Sequence, residues 1–190
     1  GPSSEELIDQ ALEDGDIDAA TALVYKVYAA FGDTRLPSQY KGDDSAADDS
    51  AAIDQAAISF NSLSAQTQAI LAPFLLPPSA PGSWLELQSV PQFGGAAAQP
   101  QAAAAVVQWT TYPAAGGKVK VWAQDRYPGD AEKAQGVAAA MTGKIWNKLI
   151  GLMGAGHAPL PDAGLANNGG DGALDIYLVQ SHGDSAHAYL

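Results

Sequence analysis

The order of patterns in the second half of the chain constrains the fold more than any other sequence feature. Residues 118–122 alternate between polar and apolar, which is typical of a strand with one buried face. A long helical pattern follows these residues, and we expect Asp130 to cap that helix. A second strand is predicted over residues 174–179. Because a crossover of this length lets two strands run side by side in one direction, the pattern predicts a parallel strand–helix–strand unit with a right-handed connection.

The predicted helix carries one continuous apolar stripe. Apolar residues recur along it at spacings of three and four, at Ala131, Ala134, Ala138, Met141, Ile145, Leu149 and Leu152. A stripe with this period is expected to face the core. We expect Trp109, Trp122 and Trp146 to belong to the core as well, rather than to a sugar-binding platform.

Residues 1–76 predict a helical subdomain. Ser3 and Glu6 have the spacing of a capping box, and Gly15 is placed to end the first helix. Asp18 is expected to cap a second helix, which is apolar over much of its circumference and therefore central to the subdomain.

Further helices are predicted over residues 50–59 and 64–72, the second of them broken by Pro73. The acidic, polar residues 42–49 predict a mobile loop before these helices. All the elements up to residue 76 are therefore helices or loops.

Residues 77–104 are rich in proline, glycine and alanine, and we interpret them as a linker or a connection that follows the surface. Trp84, Leu85 and Leu87 are expected to pin it. Residues 105–190 then form the strand–helix–strand unit. The predicted class is α+β, with an N-terminal helical subdomain followed by a small, mixed sheet.

Charge and composition exclude several functions. The net charge of −12 and the sequence pI of about 4.3 argue against nucleic acid and anionic membranes as partners. The chain has no cysteine, so disulfides, iron–sulfur clusters and a cysteine nucleophile are excluded. Gly1 and Pro2 resemble the scar of a tag-removing protease. We therefore expect the natural N-terminus, and any targeting segment, to lie outside this chain. The lack of cysteine is compatible with secretion, which the family resemblance described below implies.

The Asn/Gly/Asp-rich run before the second strand is the best candidate site. Asn167, Asp171 and Asp175 occupy positions one, five and nine of an EF-hand-like spacing, which predicts bound calcium. Gly169 stands where a third ligand is expected, and Leu178 where such loops place a glutamate. The match to a calcium loop is therefore partial, and we favour the other interpretation, a tight turn in which Asx hydrogen bonds order the entry to the strand.

Histidine spacing gives no hydrolytic zinc site in this chain. His182 and His187 are five residues apart, which does not place them on one helical face, and His-Glu-x-x-His does not occur. Ser181 and Asp184 flank His182, but neighbours in sequence cannot adopt triad geometry with one another. No catalytic residue is predicted.

Three segments resemble the start of the catalytic domain of secreted bacterial zinc metallopeptidases of the hyicolysin-like, gluzincin type. They are residues 118–122, 145–149 and 168–179. In that family a strand, a backing helix and a Gly/Asp-rich turn into a second strand precede the helix with the His-Glu-x-x-His zinc ligands. Residues 23–28 and 36–40 resemble the N-terminal pro- or accessory region before this unit.

The resemblance implies a non-catalytic N-terminal fragment of such an enzyme, inactive alone, with its zinc ligands beyond Leu190. Its partner would be the remainder of the catalytic domain. A complete, non-enzymatic secreted module that binds another protein and holds a structural calcium ion is the alternative. A third hypothesis is a scaffold whose alanine-rich helix packs against a second copy, and unpaired sheet edges also favour self-association.

Overall fold

The computed structural model describes residues 1–44, 50–89, 107–157, 159 and 169–179. These residues form α-helices and one small mixed sheet, which confirms the predicted α+β class. They divide into two compact units. The first contains Gly1–Pro77 and Gly82–Trp84, and the second contains Pro78–Pro81 and the described part of Leu85–Val179.

The first unit is helical. Its elements are α1 (Ser4–Glu13), α2 (Ala19–Ala30), α3 (Ser50–Ser59) and α4 (Ala65–Leu75). Helix α2 is central, as its apolar circumference predicts, and it contacts α1, α3 and α4. The core takes apolar side chains from all four helices, among them Ile8, Val27, Ile53, Leu71 and Phe74.

Local capping signals position the first two helices as predicted. The Ser3 hydroxyl accepts a hydrogen bond from the Glu6 backbone N–H at 3.1 Å, and the Ser3 N–H donates to the Glu6 carboxylate at 2.8 Å. Gly15 follows α1 with φ of 77°, a conformation that favours glycine. Asp18 caps α2 by accepting from the Thr21 N–H at 2.7 Å. The capping box and the second cap are therefore confirmed.

Residues 42–44, the first three of the loop predicted over residues 42–49, form neither helix nor strand and are hydrogen-bonded to the start of α1. Ser4 donates to the Asp44 carboxylate from its backbone N–H at 2.7 Å and from its hydroxyl at 2.6 Å. The Gly42 N–H donates to the Ser4 hydroxyl at 2.9 Å. These bonds satisfy free donors at the start of α1 and fix the segment to it. Residues 45–49 lie outside the described part.

Pro73 lies inside α4 rather than ending it, so the predicted break is wrong. Proline removes one N–H donor from the helix. The neighbouring Leu71 and Phe74 are fully buried, and the Phe74 ring meets Phe31 edge-on with centroids 5.0 Å apart. Core packing of these side chains holds the last turn of α4 in helical form.

The region predicted as a linker contains a short helix, α5 (Trp84–Ser89). Trp84 is fixed in the first unit, because its indole N–H donates to Asp33 at 2.8 Å and its ring packs on Phe31. Leu85 is buried, as predicted, whereas Leu87 is 48% exposed and does not pin the segment. Residues 90–104 lie outside the described part.

The second unit contains the sheet. Its strands are β1 (Trp109–Ala114), β2 (Val119–Gln124) and β3 (Leu174–Leu178), in the order β1-β2-β3. Strands β2 and β3 are parallel, as the crossover length predicts, whereas β1 and β2 form an antiparallel hairpin. The sequence reading missed β1, in which Pro113 interrupts the strand pattern at an outer position of the sheet.

The long helical segment is not one continuous α-helix. It consists of α6 (Asp130–Ala140), a π-helical turn (Met141–Ile145) and α7 (Trp146–Met153). Asp130 is the first helical residue and not the cap; Gly129 precedes it with φ of 93°, in the region that favours glycine.

The π-helical turn makes the prediction of one continuous buried stripe wrong. Ala134, Ala138 and Met141 are buried against the sheet, as expected. A π-turn takes an extra residue, so the side chains beyond it rotate around the helix axis. The buried series therefore continues at Trp146. Four members of the predicted stripe are not fully buried: Ala131, Ile145 and Leu152 are exposed, and Leu149 is half-buried.

Candidate functional site

Alternation along β2 gives the sheet two different faces. Val119 and Val121 are fully buried on the face that packs against α6. Lys120 and Trp122 point to the other face, because successive side chains in a strand alternate. The β2–β3 register places Asp175 beside Lys120, so the candidate site lies on this second face.

Asp171 is bound to β2 through a lysine. Lys120 Nζ lies 2.6 Å from Asp171 Oδ2, and it also donates to the Gly169 carbonyl at 2.9 Å. The Ala173 N–H donates to Asp171 Oδ1 at 2.9 Å, which is the Asx bond of a tight turn. The hydrogen bond from Lys120, followed by that from Ala173, lowers the pKa of Asp171 below its ordinary value.

Asp175 is held by the aromatic side chains beside it. Trp122 Nε1 donates to Asp175 Oδ1 at 2.7 Å, and the Tyr177 hydroxyl lies 3.4 Å from Oδ2. The Asp175 carboxylate also lies against the Gly169 backbone, where the φ is 64° and a Cβ would collide with it. Gly169 is therefore needed both for the conformation of the turn and for this close approach.

Three aromatic rings pack together next to the carboxylates. Trp122 and Tyr177 stack with ring centroids 5.4 Å apart and planes 18° apart, and Trp109 meets both rings edge-on. All three are half-buried. Of the tryptophans predicted in the core, only Trp146 belongs to the core between helix and sheet; Trp109 and Trp122 lie on the opposite face. Their rings pack on one another, which leaves less aromatic face for a sugar.

Two of the three predicted calcium ligands can be placed. Asp171 and Asp175 lie on one turn–strand segment beside Lys120, and Asn167 lies outside the described residues. An ion bound here would compete with the Lys120 ammonium for Asp171 and with the Trp122 indole for Asp175. In the part of the chain that the structure describes, no three His, Cys, Asp or Glu side chains are grouped to hold a metal. Calcium binding therefore stays a prediction.

The sequence reading missed the role of Lys120. The sequence does contain one indication of this role. Lys120 is the charged residue among the alternating residues of β2, and a parallel strand beside β2 can bring an aspartate next to it. Only the register of β2 against β3, which no local pattern specifies, identifies Asp175 as that neighbour. His157 is exposed, and His182 and His187 lie outside the described residues.

Comparison with known proteins found no matching family model, no matching curated protein and no matching solved structure. The protein class rests on the fold itself, a helical unit and a second α+β unit with a mixed sheet. Among the described residues, no helix is long and apolar enough to cross a membrane.

Proposed function

We propose that the chain is a non-catalytic N-terminal region of a secreted bacterial zinc metallopeptidase of the hyicolysin-like, gluzincin type. The parallel pairing of β2 and β3 around the long helical segment supports this proposal best. It is the arrangement that the sequence resemblance implies for the start of such a catalytic domain. In this function the helical unit is the pro- or accessory region, and the partner is the remainder of the catalytic domain.

In the proposed function, the Gly/Asp-rich turn holds the start of β3 in a fixed position. Lys120 binds both Asp171 and the Gly169 carbonyl, so the turn is attached to β2 at two points. A turn attached in this way gives β3 a fixed starting position beside β2. The sheet would then form a preorganised layer on which a catalytic helix could pack.

Neither the sequence motif nor the described part of the chain supplies a zinc site that fits the proposed parent enzyme. His-Glu-x-x-His does not occur in the sequence, and the described residues contain no suitable group of ligands. The proposal therefore places the zinc ligands and the general base beyond Leu190. Zinc bound there would polarise the scissile carbonyl and activate water, as in other zinc hydrolases.

Metal analysis and a hydrolysis assay on two proteins test this proposal. We expect the 190-residue chain to bind no stoichiometric zinc and to leave an unfolded protein substrate intact. The protein made from the complete source reading frame should contain zinc and cleave the substrate, and a chelator should abolish the cleavage. A complete protein without zinc, or without chelator-sensitive cleavage, would reject the proposal.

A second candidate function is a non-enzymatic, secreted interaction module with a structural calcium ion. The placement of Asp171 and Asp175 on one Gly-rich turn and strand favours it. Glycines let a loop close around calcium, and carboxylates are the ligands it prefers. In this case another protein, rather than a catalytic domain, is the partner.

Calorimetric titration with calcium tests the second candidate. Calcium at a free concentration of 100 times its Kd would stabilise the folded chain by about 2.7 kcal/mol and raise its melting temperature. We expect Asp171→Asn to remove the heat signal. Lys120→Gln should increase calcium affinity, because it removes the cation that occupies Asp171. Absence of both heat and a melting shift in the unaltered chain would discard calcium.

A further inference from the structure

Helix α7 presents apolar side chains away from the core. Trp146 is buried against the sheet, and Ile150 packs beside it. A different side of the helix carries Ile145, which is 42% exposed, and Leu152, which is 85% exposed; Met153, which follows Trp146 by two turns at the helix end, is 51% exposed. The π-helical turn ends at Ile145, and the rotation that buries Trp146 directly after it leaves Ile145 and Leu152 without a core to enter.

Basic side chains border the exposed stripe. Lys144 and Lys148 are one helical turn apart and exposed, and no aspartate or glutamate occurs between Met141 and Met153. A third lysine, Lys118, has its Nζ 5.8 Å from the centroid of the Trp146 ring, on the side of α7 that faces the sheet. Within the described part of the chain, no carboxylate pairs with any of these three lysines. In a chain of net charge −12, this is a local basic and apolar surface.

We propose that α7 is a docking surface for an acidic amphipathic helix of a separate protein. Apolar side chains of that helix, spaced by three and four residues, would cover Ile145, Leu149 and Leu152. Its aspartates or glutamates would pair with Lys144 and Lys148. This proposal is independent of the metallopeptidase proposal, since it rests only on α7 and on the end of the π-helical turn before it.

Charge favours a protein helix over the two other occupants. An anionic membrane would attract the lysines by only about 1 kcal/mol each. A membrane surface is also wider than this patch and would face the acidic remainder of a molecule with a net charge of −12, whereas a single helix meets only the local basic surface. A second copy bound across a two-fold axis would bring the same patch to both sides of the interface. Lys144 and Lys148 would then face a like-charged surface, which opposes association.

Titration with a designed probe tests the docking surface. The probe is a synthetic helical peptide with leucines at i, i+3, i+4 and i+7 and glutamates along both borders. Its matched control has lysine at each glutamate position. Backbone amide shifts of the full chain, followed by NMR, should change along α7 with the acidic peptide, and binding should weaken as salt rises.

Three variants separate docking from nonspecific attraction. We expect Leu152→Ser, and the double change Lys144→Glu with Lys148→Glu, each to weaken binding of the acidic peptide at least tenfold. The matched control Lys41→Glu removes an exposed lysine of the first unit and should leave affinity unchanged. All four substituted side chains are exposed, so we expect each variant to keep the fold, and thermal melting of each variant checks this.

Several outcomes would overturn the proposal. Equal binding of the acidic and basic peptides would remove the role of charge, and shifts confined to residues outside α7 would remove the site. Binding to anionic phospholipid vesicles without binding to the peptide would identify a membrane as the occupant. A dimer that Leu152→Ser dissociates, seen by sedimentation, would identify a second copy.

Discussion

At the scale of single residues, Gly42 occupies a position with no room for a side chain. Its N–H bonds to the Ser4 hydroxyl, and a Cβ would meet the backbone of Pro2, Ser3 and Ser4. We expect Gly42→Ala to detach the segment from α1 and to destabilise the chain by about 1–3 kcal/mol, as overpacking does. Urea unfolding measures this loss.

Gly136→Ala is the matched control for that change. Gly136 lies in α6, it is exposed, and apart from its chain neighbours and the backbone of its own helix no atom lies within 4 Å of a Cβ added there. Alanine should stabilise this helix by roughly 0.5–1 kcal/mol. If Gly42→Ala were as harmless as Gly136→Ala, the attachment of the 42–44 segment to α1 would be wrong.

Asp33 is the most extensively bonded buried carboxylate in the described part of the first unit. Arg35 donates to it from Nε at 2.9 Å and from a terminal nitrogen at 2.8 Å, and Trp84 Nε1 donates at 2.8 Å. We expect Asp33→Asn to cost about 1–3 kcal/mol at neutral pH, since hydrogen bonds to a charged group are lost. Urea unfolding measures the cost, and a change below 0.5 kcal/mol would contradict this role.

The lowered pKa of Asp33 makes its contribution to the free energy of unfolding depend on pH. Burial raises the pKa of Asp33, but the hydrogen bonds from Arg35 and Trp84 outweigh it and hold the pKa below the ordinary value of 3.8. A carboxyl with a lowered folded pKa stabilises the fold fully above its unfolded pKa, and the stabilisation is lost as pH falls through the folded pKa. The stability difference between Asp33→Asn and the unaltered chain should therefore shrink as pH falls below about 4.

At the scale of elements, the π-helical turn decides which residues of the long helical segment are buried. Thr142 and Gly143 lie within it, and both have lower helix propensity than alanine or leucine. The Thr142 hydroxyl also accepts a hydrogen bond from the Ala115 N–H at 2.9 Å, which ties the turn to the end of the β1–β2 hairpin. A tertiary contact of this kind leaves no periodic signal in the sequence.

Two substitutions test the change of register. Trp146→Ala should destabilise the second unit by about 3–5 kcal/mol, because it empties a buried site against the sheet. Leu152→Ala should stay within about 0.5 kcal/mol of the unaltered chain, because its side chain is largely exposed. Thermal or urea unfolding measures the loss of stability in each variant. A larger loss for Leu152→Ala than for Trp146→Ala would contradict the change of register and favour one uninterrupted apolar stripe.

Elements defined by local signals could be predicted from the sequence. The Ser3–Glu6 capping box, the Asp18 cap and the boundaries of α3 all depend on residues close in the chain, and the structure has each of them. Strand β1 could not be predicted, because Pro113 obscures its pattern and pairing with β2 stabilises it. The predicted helix break at Pro73 was wrong because tertiary interactions again outweigh a local signal: the packing of α4 in the core keeps the helix intact past the proline.

At the scale of the whole molecule, the α+β class and the parallel β2–β3 pairing follow from the order of elements. The candidate site follows from the sequence only in part. The Gly/Asp turn stands out by composition, but its attachment to Lys120 and the packing of Asp175 against Trp122 depend on strand register. Interactions between distant segments therefore had to come from the structure.

The proposal that this chain precedes a zinc-binding catalytic helix is tested most directly by sequencing the source gene past the codon for Leu190. We expect the frame to continue and to encode His-Glu-x-x-His within an amphipathic helical pattern, since that motif places two zinc ligands one turn apart and a glutamate base beside them. A stop codon directly after Leu190, or a continuation without this motif, would contradict the metallopeptidase proposal.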